Sequence, residues 1–232
     1  MVPWKLLDRT PVPDEGPELV LYTRGEEYSI RVGAAELMNS RVYSRDDELA
    51  KLGCARVRDR QKARVLIGGL GMGYSLVTAL NNLGPDAEVV MAELVPGLVQ
   101  WNRNVFGHLA GHPLGDQRTT LRQADVAAVI REQPRAYDAI LLDVDNGPNG
   151  LTRRANDWLY SDTGINSTRD ALRPDGVLGY WSAAPDRAFV KRLHRASLLV
   201  EELEVRAQNR GRGARITLWL ATRYGAASAS AR

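Results

Sequence analysis

A chain of 232 residues, 44% hydrophobic and 25% charged, can bury one substantial core and has the balance of a soluble globular protein. Its net charge of +3 is too small and dispersed to argue nucleic-acid binding, and its single cysteine, Cys54, excludes an internal disulfide. No apolar run reaches the length of a membrane span and the first residues lack a signal peptide's apolar core, so the expected location is cytoplasmic.

Residues 1–17, rich in proline, read as an extended arm. Residues 18–40 read as two or three short strands around a turn at Arg24-Gly25. "SRDDELAKLGCARVRD" follows as a helix with acidic residues in its first turn and Cys54 as a small core residue. "RDRQK", at 58–62, marks a boundary, beyond which strand and helix signals alternate. Strands are expected at "RVLIGG", "EVVMAEL", "RTTLRQAD", "YDAILLDVD" and "GVLGYWSA", with a helix after each; Pro96 suits a first helical turn. The chain closes with "LVEELEVRAQ" and "RITLWLATR", able to pair as a hairpin across "NRGRG". Near-continuous apolar strands alternating with helices predict an α/β fold with a largely parallel sheet covered on both faces. The expected organisation is an N-terminal segment at 1–57, a strand–helix domain at 58–224 and a flexible tail at 225–232.

In such a sheet, ligands bind beyond the C-terminal ends of the strands, near the point where strand order reverses. "GGLGMG" lies at one such end and opens a helix; Gly69, Gly71 and Gly73 permit positive φ and close approach to the backbone. The spacing is neither the dinucleotide fingerprint nor a phosphate loop. Glu93 closes the next strand, where an acid can accept hydrogen bonds from ribose hydroxyls. Asp125 closes the third, with a helix cap as the competing reading, and Asp143 the fourth, with Asp145 two residues on. Glycines and three acids at four successive strand ends favour a nucleoside ligand.

The runs "VLIGGLGMGYSL", "VVMAELVPGLVQWNR", "YDAILLDVDNGPNG" and "LYSDTGINSTRDALRPDGVL" resemble the spermidine-synthase-like (polyamine aminopropyltransferase) family within the S-adenosylmethionine-dependent methyltransferase superfamily. The resemblance covers 60 to about 190 and implies a Rossmann-like seven-stranded sheet with a C-terminal hairpin, preceded by a short β-rich domain. It implies that Gly69, Gly71, Met72 and Gly73 face the amino-acid end of the nucleoside, Glu93 the ribose and Asp125 the adenine. Asp143 would stand beside the sulfonium as the base, with Asp145 as a second acid. Asp145, Asn146, Tyr160 and Trp181 would meet the acceptor, and Tyr28 or Tyr43 would stand in for an N-terminal tyrosine of the family. The implied co-substrate is decarboxylated S-adenosylmethionine or S-adenosylmethionine itself, with no metal; the implied partner is a small amine, and the implied assembly a homodimer.

Two departures bear on the donor and the acid pair. The family carries an aspartate within the glycine turn, where this chain has Gly71-Met72, and its D-S/T-x-D-P motif reads Asp143-Val144-Asp145-Asn146-Gly147-Pro148 here. Methyl transfer from intact S-adenosylmethionine to a small molecule is therefore an alternative, and a non-catalytic nucleoside-binding protein a third. No N/D-P-P-Y motif is present, so nucleic acid is not the expected acceptor. Trp101 is expected to pack a helix, while Trp158 could pack or contact the acceptor. His108, His112 and His194 form no ligand spacing.

Overall fold

The computed structural model describes residues 2–13, 17–41, 44–144, 156–206 and 215–223. Tyr43, Asp145, Asn146, the loop joining the last two strands and the tail at 225–232 lie outside the described residues.

Four antiparallel strands, β1 (Lys5–Pro11), β2 (Glu18–Arg24), β3 (Glu27–Val32) and β4 (Ala35–Asn39), form a small sheet in that order. The expected arm is therefore largely a strand. It docks on the body of the protein at Gly97, where a Cβ would run into Thr10, and at Trp101, whose Nε1 donates to Asp8 Oδ2 at 2.7 Å. Trp101 is buried, as its packing reading expects.

Helix α1 (Ser44–Ala55) precedes a seven-stranded sheet. Its elements in chain order are β5 (Arg64–Gly68), α2 (Tyr74–Asn82), β6 (Glu88–Ala92), α3 (Pro96–Asn104), β7 (Thr119–Arg122), α4 (Val126–Glu132) and β8 (Tyr137–Leu142). These are followed by the single turn α5 (Asp157–Tyr160), α6 (Asp162–Ala171), β9 (Leu172–Ser182), α7 (Arg187–Arg195), β10 (Leu198–Arg206) and β11 (Arg215–Arg223). The order across the sheet is β10-β11-β9-β8-β5-β6-β7. Strands β5 to β9 are parallel, and β11 pairs antiparallel with both β10 and β9, as the hairpin reading expects. Pro96 occupies the first turn of α3, where its missing N–H costs no helical bond.

Side chains alternate between the two faces with the period of a strand. Val65, Ile67, Ala139, Leu141, Val177 and Trp181 pack under α1 and α2. Leu66, Ile140, Leu142, Leu178 and Tyr180 pack against Val126 and Val129 of α4, Ile165 of α6 and Phe189 of α7. A third cluster joins the small sheet to the large one: Leu19, Leu21 and Ile30 meet Met72, Tyr74, Leu98, Trp101 and Phe106. Helix α1, assigned by sequence to the N-terminal segment, packs through Leu49, Ala50 and Cys54 on the large sheet.

The N-terminal edge of the parallel strands is closed by an ionic clasp. Asp138, 3% exposed, accepts from Arg60 Nη1 at 2.8 Å, Arg173 Nη1 at 2.7 Å and the Arg64 backbone N–H at 2.8 Å. No described helix is long and apolar enough to cross a membrane.

Candidate nucleoside-binding site

The chain runs outward from β5 to β6 to β7, then returns to place β8 on the other side of β5. The β5/β8 boundary is thus the switch point, with a crevice beyond the strand ends where a ligand can meet backbone and side chains of both halves. Gly68 pairs with Ala92 and Leu142, Ala92 with Arg122, and Leu142 with Tyr180. The next residues, Gly69, Glu93, Asp143 and Trp181, therefore fall in one row along this edge, and Asp125 lies three residues past Arg122.

The glycine turn is built for close approach between parts of the protein as much as to a ligand. Gly69, Gly71 and Gly73 have φ of +93°, +50° and +87°. A Cβ on Gly69 would fall on the carbonyl of Asp143, whose own N–H donates to Gly68 O at 2.8 Å. A Cβ on Gly73 would lie 3.0 Å from Asn102 Oδ1. Asn102 Nδ2 in turn donates to Gly71 O at 2.8 Å and Leu98 O at 2.9 Å, tying α3 to the turn. Its buried Oδ1 has no hydrogen-bond partner among the described residues. Gly71 is more open, and among the described residues a Cβ there would meet only Met38, Sδ at 3.4 Å and Cε at 3.8 Å. The Met72 side chain is 2% exposed and belongs to the cluster under the small sheet.

Glu93 is 5% exposed and bound into the same turn. It accepts from Leu70 N at 2.8 Å and Val95 N at 2.7 Å. Burial pushes its carboxyl above the usual range, outweighing the backbone donors that favour the charged form. Asp125 caps α4, its Oδ1 accepting from Ala127 N at 2.8 Å, so the cap reading is realised at that residue. Asp143 is half-buried, and its Oδ2 accepts from Ser75 Oγ at 2.7 Å.

Trp181 and Tyr180 point to opposite faces, Trp181 to the side of α1 and α2. Tyr160 is 4% exposed in the core on the other face, its ring 5.5 Å from those of Tyr180 and Phe189. Trp158 lies under the Arg131 guanidinium at 4.8 Å. Tyr28 is half-buried, with its ring 5.8 Å from Phe106 and 6.3 Å from His108. His108, His112 and His194 are exposed. No group of three or more His, Cys, Asp or Glu among the described residues is arranged to hold a metal ion.

Three contributors escaped the sequence reading. Ser75 is an ordinary helical serine until β8 returns beside β5. Met38 is brought over Gly71 by the docking of the small sheet. Asn102 was the one with a usable signal, a lone amide on the inner stripe of a helix that directly follows the acidic strand end.

Neither a protein-family profile nor a curated relative matches the chain. Its architecture does have counterparts among solved structures. A spermidine synthase from Thermotoga maritima superposes with a TM-score of 0.73 at 16% identity, covering 94% of this chain and 72% of that one. A spermidine synthase in complex with the transition-state analogue AdoDATO gives 0.72 at 15% identity with the same coverage. A probable spermidine synthase from Corynebacterium glutamicum ATCC 13032 gives 0.66 at 13% identity, covering 94% and 79%. The chain has the fold of the spermidine synthases, small N-terminal sheet included.

Proposed function

We propose that the chain transfers an aminopropyl group from decarboxylated S-adenosylmethionine to a small amine such as putrescine, with Asp143 as the base. The observation that most supports this reading is the Asp143 carboxylate at the switch point, in the same strand-end row as Trp181 and bonded to the helix that leaves the glycine turn. The turn at Gly69–Gly73 would carry the donor's aliphatic tail, Glu93 the ribose and Asp125 the adenine. Trp181 would border the acceptor, and Asp145 and Asn146 would continue its wall.

The chemistry gives the carboxylate its task. A neutral amine attacks the carbon next to sulfur, the C–N bond forms as the C–S bond breaks, and methylthioadenosine leaves with the bonding pair. The proton shed by the new ammonium passes to Asp143, which also orients the incoming amine. Met38 supports the decarboxylated donor, because a carboxylate desolvated beside a thioether is costly. A homodimer belongs to this reading.

A second reading, methyl transfer from intact S-adenosylmethionine, is favoured by the start of α2. Its N-cap, Gly73, has no side chain, and Gly71 carries no acid to repel a donor carboxylate, although the Asp143 carboxylate already meets the first turn through Ser75. Incubation with the decarboxylated donor and a panel of diamines decides between them. Methylthioadenosine release that falls at least ~100-fold in Asp143→Asn is the expected result. No such product from any diamine would overturn the proposal, and S-adenosylhomocysteine from the intact donor would establish the alternative.

A further inference from the structure

We infer that Ser75 is a positioning residue that sets the orientation and charge state of the Asp143 carboxylate; this rests on the role proposed for Asp143 above. Ser75 lies in the first turn of α2, two residues after the Gly73 N-cap, and is 3% exposed. Its hydroxyl donates to Asp143 Oδ2 at 2.7 Å, within the range of charge-assisted O–H···O⁻ bonds.

Two further constraints converge on the same aspartate. Its backbone N–H donates to Gly68 O at 2.8 Å, and its carbonyl occupies the space that a Cβ on Gly69 would need. Main chain and side chain of Asp143 are thus both fixed to the segment 68–75, which also forms the glycine turn. A carboxylate whose χ angles were free would sweep its oxygens over several ångströms. One held by a buried hydroxyl stays in a single plane relative to anything seated on that turn. The hydroxyl also favours the charged carboxylate, the form able to accept a proton from an amine.

The arrangement extends down the helix. One turn later, Thr78 Oγ1 donates to Asp47 Oδ1 at 2.9 Å, so α2 presents successive hydroxyls to carboxylates of two different elements. Among the described residues, only Ser75 does so at the switch point.

The test uses the full chain with Ser75→Ala, Ser75→Thr, Asp143→Asn and the Ser75→Ala/Asp143→Asn double variant. With the decarboxylated donor and a diamine, Ser75→Ala is expected to lower kcat about tenfold while donor Kd stays within about twofold. Ser75→Thr should recover most of the loss, and Ser75→Ala should cost nothing further in the Asp143→Asn background. Additive losses in the double variant would overturn the inference. A second readout needs no turnover: the side-chain carboxyl of Asp143, followed by carbon-13 NMR, should titrate at higher pH in Ser75→Ala than in the parent. An unchanged midpoint would overturn the positioning role even if transfer were observed. A shifted midpoint with no transfer from any donor would uphold it and overturn the proposed function instead.

Discussion

The carbonyl of Asp143 fills the space that a Cβ on Gly69 would need: the bare Cα of one lets the backbone of the other pass. This contact joins β5 to β8 at the switch point, so the glycine is required by the fold before any ligand arrives. Gly69→Ala should therefore destabilise by about 3 kcal/mol or more, combining a backbone clash with a φ of +93°. Gly71→Ala, facing the end of the flexible Met38 side chain, should cost about 1–2 kcal/mol for its left-handed backbone. Urea unfolding of the two variants checks the contrast, and equal losses would contradict it.

The clasp at the opposite edge centres on a buried carboxylate. The Asp138 side chain is 4% exposed, while those of Arg60 and Arg173 are 30% and 40% exposed. Asp138→Ala removes the acceptor of Arg173 and the Arg64 N–H while Arg60 keeps the carbonyls of Pro174 and Asp175, for an expected loss of about 1–3 kcal/mol. Arg173→Ala leaves Arg60 in place and should cost less. Chemical denaturation of both variants provides the measurement.

Glu93 makes a prediction about pH. Its folded carboxyl is raised above its ordinary 4.5, so the folded chain holds that proton more tightly than the unfolded chain. The stability it contributes is present below 4.5 and is lost as pH rises through the folded value. Glu93→Gln abolishes this titration but leaves backbone donors imperfectly paired, at a cost of about 1–3 kcal/mol. The stability gap between parent and variant should narrow as pH rises from 4.5 to neutral. Asp47, raised chiefly by burial, contributes a slope of the same sign in both proteins. A gap that widened would contradict the assignment.

The order of elements was legible because it rests on local patterns: apolar runs for β5, β6 and β8, glycine and proline at their ends. The row of Gly69, Glu93 and Asp143 was legible for the same reason, since strand ends in a parallel sheet share an edge. What each of those residues touches was not. Glu93 turns inward to Leu70 N, Asp143 takes the Ser75 hydroxyl, and Tyr160 packs with Tyr180 and Phe189, whereas the Asp125 cap was readable from its place before α4. Each of the first three depends on a packing angle or a rotamer that no spacing encodes. The Asp138 clasp joins residues 78 and 35 positions away, a pairing set by topology alone.

Cys54 tests the interior under α1. Its side chain is fully buried, and burial pushes the thiol up to about 12, leaving almost no thiolate at neutral pH. The folded chain should resist iodoacetamide at pH 8 while the urea-unfolded chain is labelled completely. Rapid labelling of the folded chain would show that α1 does not stay docked on the large sheet.

The account's central claim is best tested by calorimetric titration of the purified protein with decarboxylated and with intact S-adenosylmethionine. Binding of the decarboxylated form about tenfold tighter, roughly 1.4 kcal/mol, is the predicted result. Tighter binding of the intact form would contradict it and favour methyl transfer from the intact donor.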